Sequence, residues 1–315
     1  MSKLHLDYLA LSCRDPAALE ATLTGPLGLK HRDVAIAGAS ANTTVSGVAL
    51  GNVTLLLFEA GDESLGGATR VGVNHLGFAC NNPEAFAANI RLYAADDIGH
   101  GISGEQFMLD PELCGGVRTR IGLPLAHFAA GYSDTVERID HIGIASTDNR
   151  GAEGLYANRL GFEVESRQSD METRAVIESF TSDRYGVVHH ARTPEAVGGL
   201  RVSFITVGDC ELEFLEEFDS QAMSESRELE LGRTPGTTQQ DQGAIGRFVE
   251  RQGAGLHHLA IKTPDIDAAL AKLKAAGVRT IDNTGRPGSR RAQIGFIHPS
   301  ATGGILIHFV ERVPL

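Results

Sequence analysis

One short strand pattern occurs four times along this 315-residue chain, and the repetition limits what the chain can fold into more than any other feature. It reads Asp7-Tyr8-Leu9-Ala10-Leu11-Ser12, then Asn74-His75-Leu76-Gly77-Phe78-Ala79. It returns as Asp140-His141-Ile142-Gly143-Ile144-Ala145 and as His257-His258-Leu259-Ala260-Ile261-Lys262. Each copy alternates apolar with polar or small residues, the period of a half-buried strand. A helix-start signal follows each: Asp15-Pro16, Asn82-Pro83, Asp148-Asn149 and Pro264-Asp265. In the last copy Ile266, Leu270, Leu273 and Lys274 keep helical spacing, and Gly277 supplies the stop. Leu27-Gly28-Leu29 and Leu160-Gly161-Phe162 do the same job in their own copies.

Short strands are expected after each helix, most clearly from Leu200 to Val207 and, past a Gly208-Asp209 turn, from Cys210 to Leu215. One unit of strand, helix and three strands cannot cover both faces of its sheet, whereas two units curling toward each other enclose an interior. The expected fold is therefore α+β: four βαβββ modules paired into two curled-sheet, half-barrel domains, 1–136 and 137–315. Two insertions, about Arg167 to Gly198 and Ser220 to Arg251, separate the third and fourth copies; the second is polar and expected to be partly helical.

Composition narrows the partners. Apolar residues at 42% and charged residues at 22% fit a globular chain. A formal charge of −12 repels phosphate backbones and anionic lipid, so neither nucleic acid nor membrane is an expected partner. No apolar run approaches the roughly 18 residues a membrane span needs, and the N-terminus carries no basic-then-apolar leader. Cys13, Cys80, Cys114 and Cys210 are widely spaced, which reads as reduced thiols in a cytoplasmic protein.

In a curled sheet pair, alternate residues of the inner strands face the cavity. That places His141 and His258 at matching inward positions. The last strands of the two C-terminal modules add Glu213, from Glu211-Leu212-Glu213, and His308, from Ile307-His308-Phe309. Charged or imidazole groups inside apolar strands are costly unless paired or coordinated. Three imidazoles and one carboxylate converging on one axis suit a divalent first-row ion. The N-terminal pair offers Tyr8, His75, Leu56 and His127 (the last in Ala126-His127-Phe128) at the corresponding places, with no carboxylate. It is expected to lack a catalytic metal and to act as scaffold or dimer surface.

These residues carry a family resemblance. The stretch from Ile139 to Leu315 resembles the methylmalonyl-CoA epimerase and glyoxalase branch of the vicinal-oxygen-chelate superfamily. It does so through Ile139-Asp140-His141-Ile142-Gly143-Ile144-Ala145, Val207-Gly208-Asp209 with Glu211-Leu212-Glu213, Gly255-Leu256-His257-His258-Leu259-Ala260, and Phe296-Ile297-His298-Pro299-Ser300-Ala301-Thr302-Gly303-Gly304. The four-module length is similar to that of extradiol and hydroxyphenylpyruvate dioxygenases. The resemblance implies metal ligands at His141, Glu213 and His258. At the fourth position the epimerase branch has a glutamate and this chain has His308.

What it implies chemically is a divalent ion (Zn, Ni, Co or Mn) chelating adjacent oxygens of a small-molecule substrate in an isomerase, epimerase or lyase. An Fe(II)-dependent extradiol or 2-oxo-acid dioxygenase is the alternative, and a non-catalytic small-molecule binding protein a third. His308 is expected as ligand or base, Glu213 as the carboxylate of the centre, and His190 (with His189) either as a second acid/base or as part of a surface loop. His257 should face the opposite side of the sheet, and His298 belongs to a turn. Arg286, Arg290 and Arg291, in a segment that resembles the family's loop before the last hairpin, are expected either to contact an anionic part of the substrate or to lie in a solvated loop. A homodimer is consistent with the four-module relatives.

Overall fold

The computed structural model describes residues 4–36, 43–87, 106–125, 130–174, 177–184, 186–191, 195–218 and 243–312. The first module is β1 (His5–Cys13), α1 (Pro16–Thr24), β2 (His31–Ile36), β3 (Thr43–Leu50) and β4 (Val53–Glu59); the second shows β5 (Gly72–Ala79), α2 (Pro83–Ala87), β6 (Phe107–Met108) and β7 (Thr119–Gly122). The third is β8 (Arg138–Ser146), α3 (Asn149–Glu153), β9 (Glu163–Arg174), β10 (Ile177–Ser182), β11 (Gly186–Ala191), β12 (Glu195–Thr206) and β13 (Glu211–Phe218), followed by α4 (Gly243–Gln252). The fourth is β14 (Gly255–Lys262), α5 (Ile266–Ala275), β15 (Arg286–Pro287), β16 (Gln293–Ile297) and β17 (Ile307–Glu311).

The repeat strands sit at the middle of their sheets. One sheet runs β2-β3-β4-β1-β5-β7-β6, the other β15-β16-β17-β14-β8-β13-β12-β9. The fold is α+β, and the larger sheet curls into a half-barrel. Local chemistry starts the helices where the sequence signals them. Asp15, Asp148 and Asp265 each accept a hydrogen bond from the backbone N–H three residues on, at 3.0, 3.0 and 2.9 Å. Leu19 and Leu23 of α1 and Ile266, Leu270 and Leu273 of α5 then enter a core that also takes residues from both sheets.

The segment from Arg167 to Gly198 is not a separate insertion. The ladder of β9 and β12 continues unbroken in direction from Glu163 opposite Thr206 to Arg174 opposite Glu195. Two strands already paired gain backbone hydrogen bonds with each added residue, so the extra sequence lengthens them. Only β10 and β11 form a two-stranded sheet of their own. In the second insertion the helical part is α4, and residues 219–242 lie outside the described residues.

The simple alternation expected of the repeat strands is broken at the same place in all four. Along β8 and β14, Leu256 faces Ile144 and His258 faces Gly143, which leaves His257 as an extra residue. Ala260 faces His141 and Ile261 faces Ile139, which leaves Asp140. Between β1 and β5, Asp7 and Asn74 are left over in the same way. Each repeat strand thus carries a β-bulge at the residue before its inward-facing position.

Candidate metal centre

Four adjacent strands, β13, β8, β14 and β17, each deliver one side chain to the same point. His141 and His258 come from the repeat strands. Glu213 lies beside Gly143 in the parallel pair β13–β8, and His308 beside Ala260 in the parallel pair β14–β17. All four are buried. Glu213 Oε2 stands 3.2 Å from His141 Nε2 and 3.4 Å from His258 Nε2, and the two Nε2 atoms are 3.3 Å apart. The three histidines bring ligand atoms within 4.8 Å of one another, while Glu213 joins through His141 and His258.

These separations test whether an ion fits. Bonds of about 2.0–2.1 Å around a tetrahedral first-row cation put neighbouring ligand atoms about 3.3–3.4 Å apart. Nδ1 of His308 is buried with no hydrogen-bond partner among the described residues, which leaves that ring free to ligate. The donor set of three imidazoles and one carboxylate suits a transition ion or zinc better than calcium or magnesium, which favour oxygen.

The bulges orient the rings. Because Asp140 is the extra residue, its carboxylate turns to the same side as His141 and holds His141 Nδ1 at 2.7 Å. Arg312 fixes that carboxylate in turn, with Nε at 3.0 Å from Oδ2 and Nη2 at 2.5 Å from Oδ1. In the other strand His257 does the equivalent job, its Nδ1 lying 2.9 Å from Nδ1 of His258. The expectation that His257 faces away is therefore corrected. It lines the same cavity as His258 and packs edge-on against Phe248 of α4, 4.7 Å between centroids. Space for the His258 ring exists because residue 143 is glycine: a Cβ there would lie 1.9 Å from the ring.

The electrostatics divide the histidines. Burial pulls His141 down, but Glu213 and Asp140 outweigh it and lift its pKa to about 9. Burial lowers His258 against the pull of Glu213, and lowers His308 well below the usual histidine value with the help of His258 and His141. Burial pushes Glu213 up, yet His141 and His258 hold it well below the usual carboxylate range. A proton on His141 and a cation therefore compete for the same place between His141 and Glu213. Sequence reasoning missed Asp140 and Arg312. Two polar residues in succession at the head of each copy were the available signal for the bulges.

His190 does not come from the sheet that holds the centre. It lies on β11, opposite Glu178 in the β10–β11 hairpin, and its side chain, like that of His189, is outside the described residues. His298 closes its turn through Ser300, with Nδ1 2.8 Å from Oγ. Arg286 and Arg290 line the cavity, and both pair with the chain's own carboxylates. Arg290 pairs with Glu211 and with Glu165 (2.6 Å) and lies 3.5 Å above the Phe204 ring; Arg286 pairs with Asp282 at 3.2 Å. Arg291 is exposed. In the N-terminal sheet the equivalent register positions hold Tyr8, Leu56, His75 and Arg120. Ala10 lies beside Leu56 as Gly143 lies beside Glu213, and Gly77 beside Arg120 as Ala260 lies beside His308. Arg120, rather than His127, is the fourth member; His127 is outside the described residues.

The family profile described as Glyoxalase/Bleomycin resistance protein/Dioxygenase superfamily matches residues 140–296, a span containing His141, Glu213 and His258. The mitochondrial methylmalonyl-CoA epimerase of Bos taurus is 24% identical over 195 residues, 62% of this chain and 85% of its own. The ethylmalonyl-CoA/methylmalonyl-CoA epimerase of Cereibacter sphaeroides is 26% identical over 179 residues, 56% of this chain and 98% of its own. Among solved structures, a variant of 4-hydroxymandelate synthase from Streptomyces coelicolor aligns with 99% of this chain and 93% of its own at a TM-score of 0.58 and 15% identity, a likeness of fold that extends over both halves.

Proposed function

The chain belongs to the glyoxalase/bleomycin resistance protein/dioxygenase superfamily through residues 140–296, and from that membership we propose a divalent-metal-dependent isomerase or lyase acting on a small molecule with two adjacent oxygens. The observation that carries the reading is the convergence of His141, His258, His308 and Glu213, with ligand atoms 3.2 to 3.4 Å apart around Glu213 and the first two histidines. They stand in a cavity of about 320 Å³ whose other walls include Leu200, Phe204, Ile245, Ile294 and Phe296. The division of the chain at 136 and 137 belongs to this reading, with the centre in the C-terminal pair.

A divalent ion bound there would act as a Lewis acid toward the substrate oxygens. The chain's own groups do the rest. The apolar walls keep water from the reacting carbon. Asp140 and Arg312 hold the His141 ring, and His257 holds that of His258. His308, kept neutral by burial and by two neighbouring histidines, is the group suited to hold the ion or to take a proton from substrate.

Metal analysis of protein purified without added metal, on wild type and His308→Ala, tests the reading. About one equivalent of Zn, Ni, Co or Mn, lost or weakened in the variant, is the expected result. Iron together with substrate-dependent oxygen uptake would replace it with a dioxygenase. A chain that neither retains nor takes up metal would be a binding protein.

A further inference from the structure

The N-terminal cup holds a cation of its own. At the positions that carry His141, Glu213, His258 and His308 in the other cup, it has Tyr8, Leu56, His75 and Arg120. The carboxylate of the centre has become an apolar leucine, and the fourth ligand has become a guanidinium. Arg120 is only 7% exposed. Its Nη2 reaches the Ser64 carbonyl at a long 3.5 Å, and the Tyr8 hydroxyl is a further polar neighbour. Among the described residues no carboxylate pairs with it.

The surrounding groups satisfy one another instead. Gln106 Nε2 donates to the Tyr8 hydroxyl at 3.0 Å, which lies 3.3 Å from His75 Nε2, and His75 Nδ1 lies 2.8 Å from Asn74 Oδ1. Burial, then Arg120 and Arg118, keep His75 uncharged. Val45, Leu56, Phe58 and Leu125 form an apolar cluster around Tyr8. A buried charge without a counter-ion is strongly destabilising, and a bound anion removes that cost. A guanidinium matches a carboxylate with two parallel hydrogen bonds, better than any other side chain. Leucine in place of Glu213 leaves this register position without a carboxylate; Asp7, whose charge bears on Tyr8, accepts the Leu125 N–H at 2.8 Å.

We propose that the N-terminal cup is an anion-binding site, taking the carboxylate of a small, carbon-bodied monoanion on Arg120 beside the Tyr8 hydroxyl. The site is distinct from the metal centre and stands whether or not that centre performs the chemistry proposed above.

The test uses the full chain with sodium acetate as the probe and sodium chloride at equal ionic strength as the control. Acetate, and not chloride, is expected to raise the Tm of wild type and of His308→Ala alike, with one calorimetric binding event per chain surviving in His308→Ala. In Arg120→Met that event disappears and the acetate effect on Tm is lost, while the Tm in acetate-free buffer is equal to or above that of wild type. Should Arg120→Met fail to fold, Tyr8→Phe must bind acetate severalfold more weakly for the proposal to stand. It is overturned if acetate acts no differently from chloride, if its effect persists undiminished in Arg120→Met, or if binding requires His308.

Discussion

Asp140 Oδ1 lies 2.7 Å from Nδ1 of His141, the very next residue, and the two share one side of the sheet because Asp140 is the extra residue of a bulge. The carboxylate fixes which nitrogen of His141 faces the centre and makes the ring a stronger donor. Asp140→Asn keeps the shape and loses the charge. It is expected to fold normally and to bind metal about 10- to 100-fold more weakly, measured by competition with a chelating dye. Unchanged affinity would show that Asp140 serves only the fold.

Glycine 143 makes room for the His258 ring, and Gly77 makes room for the Tyr8 ring in the other cup, where a Cβ would stand 2.1 Å from it. Each alanine variant is expected to cost about 1–3 kcal/mol of stability by overpacking. Their effects on metal should separate. Gly143→Ala displaces a ligand and should weaken metal binding at least tenfold, whereas Gly77→Ala should leave it within twofold of wild type. Paired denaturation and metal titration would show whether the two cups are independent in this respect.

Three of the four buried thiols make the fold most sensitive to alkali. Burial raises Cys13 and Cys114 to about 12 and raises Cys210 as well. In the unfolded chain a thiol loses its proton near pH 8.5, so above that pH the unfolded state binds fewer protons than the folded one. Stability is then present in full below about pH 8.5 and falls as pH rises toward the folded values, by at most about 1.4 kcal/mol per pH unit for each thiol. Urea midpoints at pH 7.5 and 9.5 measure this, and replacing one of the three by Ala or Ser should flatten the slope.

Capping is local and separable from the site. Asp265 accepts the Ala268 N–H at the start of α5. Asp265→Ala should lower stability by about 1 kcal/mol while leaving metal affinity unchanged, as thermal melts with and without metal would reveal.

The sequence made much of this legible because its strongest signals are local. The repeat strands, the three aspartate caps and the helix stops depend on residues a few positions apart. The gathering of His141, Glu213, His258 and His308 was readable because each sits at an equivalent place in a repeated unit. What escaped depended on pairing between strands. A bulge is a property of two strands together, so strict alternation sent His257 to the wrong face and hid Asp140. Ala126-His127-Phe128 echoes Ile307-His308-Phe309 and so points to His127 as the N-terminal counterpart. The strand that actually lies beside β5 is the four-residue Thr119–Gly122, too short for a periodicity to show. Arg312 is joined to Asp140 across 172 positions of chain, a distance over which no residue pattern speaks.

Four bulges at one position in four modules also bear on how this chain arose. An irregularity that appeared separately in each strand would have no reason to fall at the same residue every time. The simplest history is a single ancestral strand already bulged, copied twice over, so that every descendant inherited a pair of adjacent residues pointing into the same space. Divergence then needed to change only that pair and the neighbouring end strand. Asp140-His141 and His257-His258 now serve the candidate metal centre, while Asp7-Tyr8 and Asn74-His75 hold the same bulged positions in the other sheet.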